Sequence, residues 1–390
     1  MVRLIFLSDF TEAYAHHLLQ GILTYAKQKD QEAWVVCRMP PSYKETYGIK
    51  GVVEWAKKWE ANAIIGRFNH DDDIDLFRRN GIIAIAQDFK RRFNNIPNIT
   101  SNYHDTGKLA AQFFIEKGYK HFAFYGYKDT VWSDERCEGF YEGIKEAGYS
   151  KNFYTYTNQQ LETLWYYDTT PLLNWLNQLP QQTAVFCCDD NQGNKITEIC
   201  KGNKIQIPEH LAVLGVDNDT TLCELSDPPL SSIHLDIEAG GYETAELIMN
   251  LMKQKDFQPQ DVIIKAISII NRSSTNSFAT NDIYINEALE FIHSNLDKAL
   301  NVTDLVKKLP LSRRLLEMRF KKVTGRSVYN YIIYNRIEEF ARKIHETDKP
   351  INEIATEMEF YNYSNLVQQF KQIKGCTPTE FRKRNKAYDL

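Results

Sequence analysis

Two sets of side chains in this 390-residue sequence have the types and spacing that molecular recognition needs. The first is spread over the front half: Asp9 and Phe10, Arg67 and Phe68, Trp132 and Arg136, Asp189 with Asp190 and Asn191, and Asp217 with Asn218, each group following a short apolar run. Carboxylates and guanidinium groups bond adjacent hydroxyls in pairs, and flat rings cover the C–H surface between them, so this set suits a polyol. The second set is compact and duplicated. Leu316, Phe320 and Lys321 recur fifty residues later as Leu366, Phe370 and Lys371, each on an amphipathic helix that follows a shorter one. Leu305 and Leu309 face inward on the first shorter helix, Ile354 and Met358 on the second, and Ser312 stands where an N-cap is needed. Two paired-helix units of this kind present two parallel reading surfaces, able to enter successive major grooves about 34 Å apart.

These groups need a frame to hold them. Up to about residue 275, β-branched or aromatic runs alternate with amphipathic helical stretches, placing strands at 2–7, 34–38, 63–68, 82–86, 121–125, 154–157, 183–187 and 211–216. Most are apolar on both faces. That pattern belongs to a parallel sheet covered by helices on each side, wound through right-handed crossovers. The strands are too many for one compact sheet, so two lobes are expected. A further run over residues 262–270, after a helix ending near Lys253, is expected to cross back and complete the first lobe. In such sheets ligands bind beyond the carboxyl ends of the strands, where the first set of side chains falls. Residues 271–282 are polar and aperiodic and predict a linker, and residues 283–390 show only helical spacing. The expected fold is an α/β two-lobed domain over residues 1–270, followed by an all-α domain with two helix-turn-helix modules.

Charge separates the same two regions. Residues 283–390 carry a net +5 and the remainder a net −9, so the last third is the part suited to phosphates. No run approaches the roughly 18 apolar residues of a membrane span, and the first strand is too short for a signal-peptide core, which predicts a cytoplasmic protein without membrane contact. Seven cysteines form no C-x-x-C pair and read as free thiols. His70-Asp71-Asp72-Asp73 reads as the acidic start of a helix rather than a metal site. No phosphate loop, dinucleotide fingerprint or zinc-protease motif is present, so neither an enzyme nor a cofactor is expected. A binding-only solute receptor would need an export signal and would have no use for the basic tail.

The tail resembles the AraC-type DNA-binding domain along its whole length, including the inter-module helix from Arg336 and the ending with Pro378, Phe381 and Arg382. The resemblance implies double-stranded DNA as partner. It places base-facing side chains at Arg313, Arg314, Glu317 and Met318 in the first module and at Tyr363, Ser364, Val367 and Gln368 in the second, with Lys321 and Lys371 on phosphates. Family members have glycine in each turn between paired helices. Here Pro310 and Glu359 stand there.

The front region resembles the LacI/GalR-type and periplasmic sugar-binding fold. The matches are Arg136-Cys-Glu-Gly-Phe140, Asp189 after an apolar strand, Gly215-Val-Asp-Asn218 and Leu230-Ser-Ser-Ile233. A sugar sensor joined to an AraC-type tail is the arrangement of xylose regulators. The resemblance therefore implies a small sugar effector, D-xylose or, in the same architecture, another sugar such as arabinose, with Arg136, Asp189 and Asp217 as leading contacts. It also implies a homodimer that recruits RNA polymerase as an activator. After Tyr14 the chain continues Ala15-His16-His17 where such regulators have an acidic residue.

Overall fold

The computed structural model describes residues 1–10, 12–28, 33–158, 168–253, 260–276, 280 and 282–386. Its front region is built on β1 (Val2–Leu7), β2 (Trp34–Met39), β3 (Ala63–Arg67), β4 (Ile83–Gln87), β5 (Asn98–Ser101), β6 (His121–Tyr127), β7 (Phe153–Asn158), β8 (Thr183–Cys187), β9 (Leu211–Val216), β10 (Ser231–Leu235), β11 (Val262–Ile264) and β12 (Ala266–Ile270). They form two six-stranded sheets, ordered β11-β5-β4-β3-β1-β2 and β12-β10-β9-β8-β6-β7. Every neighbouring pair is parallel except β12, which runs antiparallel to β10. Helices α1 (Ala13–Gln28), α2 (Pro41–Lys58), α3 (Asp75–Arg79), α4 (Tyr103–Glu116), α5 (Val131–Glu146), α6 (Thr170–Gln178), α7 (Asp190–Gly202), α8 (Thr220–Leu225) and α9 (Ile237–Lys253) are interspersed with the strands. The two-lobed α/β architecture is the one the apolar runs require.

Two strands lie outside the apolar runs. β5 and β10 are rich in Asn, Thr and Ser yet almost wholly buried. Several of their polar groups find partners inside: Asn98 bonds both backbone groups of Phe93 at 2.8 Å, Thr100 donates to Asp88 at 2.6 Å, and the Ser231 hydroxyl lies 2.7 Å from that of Thr275. The run over residues 262–270 divides at Lys265, so β11 completes the first sheet as expected while β12 returns to the second. Helices α4 and α5 lie close enough that a Cβ added to Gly107 would stand 2.2 Å from the Arg136 carbonyl oxygen, and one on Gly139 1.9 Å from that of His104. Only glycine permits this approach, and it fuses the two helices into one slab.

The polar segment after β12 is fastened where a tether is expected. Ser274 is fully buried, its hydroxyl donating to the Val213 carbonyl at 2.6 Å, and the Lys117 ammonium donates to the Thr275 carbonyl at 2.7 Å. The rest of the expected linker, residues 277–279 and 281, lies outside the described residues.

Beyond it come α10 (Ile283–His293), α11 (Val302–Lys308), α12 (Arg313–Thr324), α13 (Val328–Glu346), α14 (Ile351–Glu357), α15 (Tyr363–Lys374) and α16 (Pro378–Lys386). Two separate apolar cores form here, one around Leu305, Leu316 and Phe320 and the other around Ile354, Leu366 and Phe370. α13 feeds both, through Val328 and Ile332 at its start and Phe340 and Ile344 further on. Arg336, halfway along, donates to the carbonyls of Leu296 in the first module, at 3.3 Å, and Met358 in the second. Among the described residues no helix is long and apolar enough to cross a membrane, and no group of His, Cys, Asp and Glu is arranged to hold a metal. Asp72, from the acidic run, pairs with Lys44 at 2.9 Å.

Candidate functional site

The carboxyl ends of the two sheets meet at a polar cleft of about 80 Å³. Of the residues marked in the sequence, Arg67, Trp132, Arg136, Asp189, Asp190, Asn191 and Asp217 line it. Phe68 does not: it is fully buried against Phe77 and Phe93, because β3 ends at Arg67 and the next side chain turns into the lobe. Phe10 packs on Phe6 at 5.3 Å and beneath the Arg38 guanidinium at 5.2 Å, and Asp9 stands beside it outside the cleft lining.

Glu12, Tyr14, Gln87, Asp88 and Tyr103 also line the cleft. Gln87 and Asp88 directly follow the apolar run of β4, so the rule that marked Asp189 marks them too. Glu12 and Tyr14 sit at the start of α1. Tyr103 opens α4 just after β5, a strand whose polar residues hide it.

Arg136 is the centre of this arrangement. It is buried, 3% exposed, and donates to the Cys188 carbonyl, with Asp217 at 3.7 Å. Its guanidinium lies over the rings of Tyr103 at 5.2 Å and Trp132 at 5.7 Å. Arg67 is clamped in a two-pronged pair with Glu12. Asp189 caps α7 by accepting from the Gln192 backbone at 2.8 Å while also lining the cleft. Burial pushes its carboxyl up to about 7, with the Gln192 bond and Arg136 opposing and Asp217 adding to the rise. Burial raises Asp217 as well, against the pull of Arg136. Asp88, from the first lobe, shares Arg92 with Glu135 of α5, the latter through bonds of 2.7 and 2.8 Å.

Two features define what can enter. The Gln87 amide, Asp88 Oδ1 and Arg136 Nε are buried polar atoms without a hydrogen-bond partner among the described residues. Six carboxylates (Glu12, Asp88, Asp189, Asp190, Asp217 and Asp219) line the cleft beside two guanidinium groups, Arg67 and Arg136, both of which already have partners, while Asp88 is paired with Arg92 outside the lining. Burial holds Asp88, Asp189, Asp190 and Asp217 above the ordinary carboxylate range, so the cleft presents both acceptors and donors to the hydroxyls of a neutral polyol.

The second set lies on α12 and α15. Both helices have twelve residues, begin at a side-chain cap (Ser312, Asn362) and end at a left-handed glycine (Gly325, Gly375). Arg313, Arg314, Met318 and Lys321 are exposed on α12, and Tyr363, Ser364, Gln368 and Lys371 on α15, with Val367 half-buried among them. Glu317 is less available, since its carboxylate accepts from the Val328 backbone at 3.2 Å. Tyr361, 85% exposed just before α15, extends this surface.

The turns explain how glycine is replaced. The first, residues 309–312, places Pro310 without left-handed backbone. The second is one residue longer, 358–362, and Glu359 takes φ of 52°, its carboxylate accepting from the Ala299 backbone at 2.8 Å.

Comparison with known proteins agrees with this division. Residues 111–275 match a model of the periplasmic binding protein-like domain, and residues 305–384 match a helix-turn-helix domain model. The chain is 26% identical over 400 residues to the xylose operon regulatory protein of Escherichia coli strain K12, covering 98% of this chain and 97% of that one. The xylose operon regulatory protein of Haemophilus influenzae is 27% identical over 329 residues, covering 82% and 84%. A solved structure described as a xylose-binding transcription activator superposes with a TM-score of 0.59 at 23% identity, over 98% of both chains, which makes the fold common to the two.

Proposed function

We propose that this chain, a periplasmic binding protein-like domain joined to an AraC-type helix-turn-helix domain in the manner of the xylose operon regulatory proteins, is a DNA-binding transcription regulator that responds to D-xylose. The observation that carries the reading is the interlobe cleft, whose excess of carboxylates and unpartnered buried polar atoms fits a small neutral polyol. Arg136, Asp189, Asp217, Asp88 and Gln87 are the groups we assign to its hydroxyls, and Trp132 and Tyr103 to its C–H faces. The exposed side chains of α12 and α15 are assigned to base edges, and Lys321 and Lys371 to phosphates. Catalysis has no place in this reading. The protein acts in the cytoplasm as a homodimer, binds repeated promoter sites and recruits RNA polymerase to activate pentose-utilisation genes. Sugar favours the DNA-competent state only by its greater affinity for that state.

A thermal-shift panel of neutral pentoses and hexoses, with sugar phosphates alongside, tests the cleft assignment. A ligand at 100 times its Kd stabilises the folded domain by about 2.7 kcal/mol. D-xylose is expected to raise the melting temperature and sugar phosphates to leave it unchanged. A shift produced by phosphates alone overturns the neutral-polyol assignment.

A further inference from the structure

We propose that α4 carries the sugar signal to the DNA-binding domain, as a rigid rod whose first turn lines the effector cleft and whose last turn is held by the first helix-turn-helix module. The proposal rests on the sugar-responsive reading above. α4 has 14 residues and spans about 21 Å. Tyr103, its first residue, lines the cleft and lies under the guanidinium groups of Arg136 and Arg92. At the other end, Glu116 pairs with Arg326 at 2.9 Å. The next residue, Lys117, donates to the Thr275 carbonyl in the segment that leads to the DNA-binding domain.

The rod does not bend or move alone. Gly107 and Gly139 lock α4 to α5, and α5 brings Trp132 and Arg136 to the same cleft. A sugar that draws these side chains together therefore displaces one slab, and a helix transmits axial displacement along its whole length. At the receiving end Arg326 follows the left-handed Gly325 that ends α12. Its backbone N–H donates to the Thr324 hydroxyl at 3.3 Å, and its guanidinium sits over the Tyr334 ring of α13 at 4.1 Å. Whatever moves Arg326 moves α12 with it. Around this pair the domains face each other across an open space of about 870 Å³, so the contact is a point latch that can shift without repacking a core.

Hydrogen exchange of the full chain, with and without saturating D-xylose, tests this together with calorimetric titration of the sugar. In the parent, D-xylose is expected to change exchange rates in residues 313–326 by at least about fivefold, the low end of ordinary coupling between sites. Glu116→Gln is expected to keep the calorimetric Kd within about twofold and the exchange changes in α5, yet to lose the change in α12. The double variant Glu116→Arg with Arg326→Glu is expected to restore it. A parent that binds D-xylose and a Glu116→Gln variant that still transmits the full change to α12 overturn the rod. A parent that binds no D-xylose overturns the sugar reading, and the rod with it.

Discussion

Replacing Arg136 with methionine keeps an unbranched apolar stem and removes the guanidinium, with its charge, at the point where the cleft closes. The guanidinium is buried, its Nε has no partner among the described residues, and Tyr103 and Trp132 hold it from two sides. A hydrogen bond from a charged group is worth roughly 1.5–3 kcal/mol, more than a neutral one. Loss of one such bond to a sugar hydroxyl weakens binding by roughly 10- to 150-fold, since each 1.4 kcal/mol is a factor of ten. Folding should suffer as well, because removing one partner of a buried pair leaves Asp217 and the Cys188 carbonyl without their counterpart. The assay is calorimetric titration of D-xylose into Arg136→Met and parent, with sugar-free DNA affinity as the control. A Kd within about threefold of the parent refutes the reasoning, leaving Arg136 as scaffolding for Cys188 and Asp217.

On the DNA side, Arg314→Ala should cost about 1–3 kcal/mol and relax sequence preference, whereas Lys321→Ala should weaken all sequences alike and reduce the salt slope by about one. Competition binding at several salt concentrations separates the two, and sugar affinity should not change. Glu359→Gly relieves about 1 kcal/mol of left-handed strain but gives up the charge-assisted bond to Ala299, worth about 1.5–3 kcal/mol. Urea unfolding should show a net loss of about 1 kcal/mol, and a more stable variant would contradict the structural role of that carboxylate. Asp189 is held near 7, above the ordinary value of about 3.9, so the folded chain keeps its proton more tightly. Its contribution to stability is then lost as pH rises from about 4 through about 7, at up to roughly 1.4 kcal/mol per pH unit. Asp189→Asn should flatten that loss between pH 5.5 and 7.5 in melting experiments, and an unchanged slope would assign the effect to other groups.

Strands buried on both faces announce themselves, and β1, β8 and β9 are legible to the residue for that reason. β5 and β10 are not, because a buried Asn or Ser that finds an internal partner looks like loop in a sequence. The same blindness reaches the cleft. Asp217 stands out because charge directly follows an apolar run, and Arg136 through the Arg136-Cys-Glu-Gly-Phe140 resemblance, but Tyr103 is a tyrosine after an unseen strand, and Phe68 looks like a sugar platform until the end of β3 turns it inward. The fifty-residue repeat made the paired modules plain, since matched Leu and Phe positions must fill matched cores. What the repeat concealed is the extra residue in the second turn, which only the backbone angle of Glu359 explains.

Arg336 ties Leu296 to Met358 across the single helix that joins both modules, and Glu359 adds a second tie to Ala299. The chain thus works as a ruler with two fixed marks. DNA rises about 3.4 Å per base pair and completes a turn in about 10.5, so one inserted base pair carries the second box about 34° around the axis. A promoter read by this ruler is held to a fixed spacer length within each site, and mutations that change that length fall outside what side-chain substitution in either box can repair.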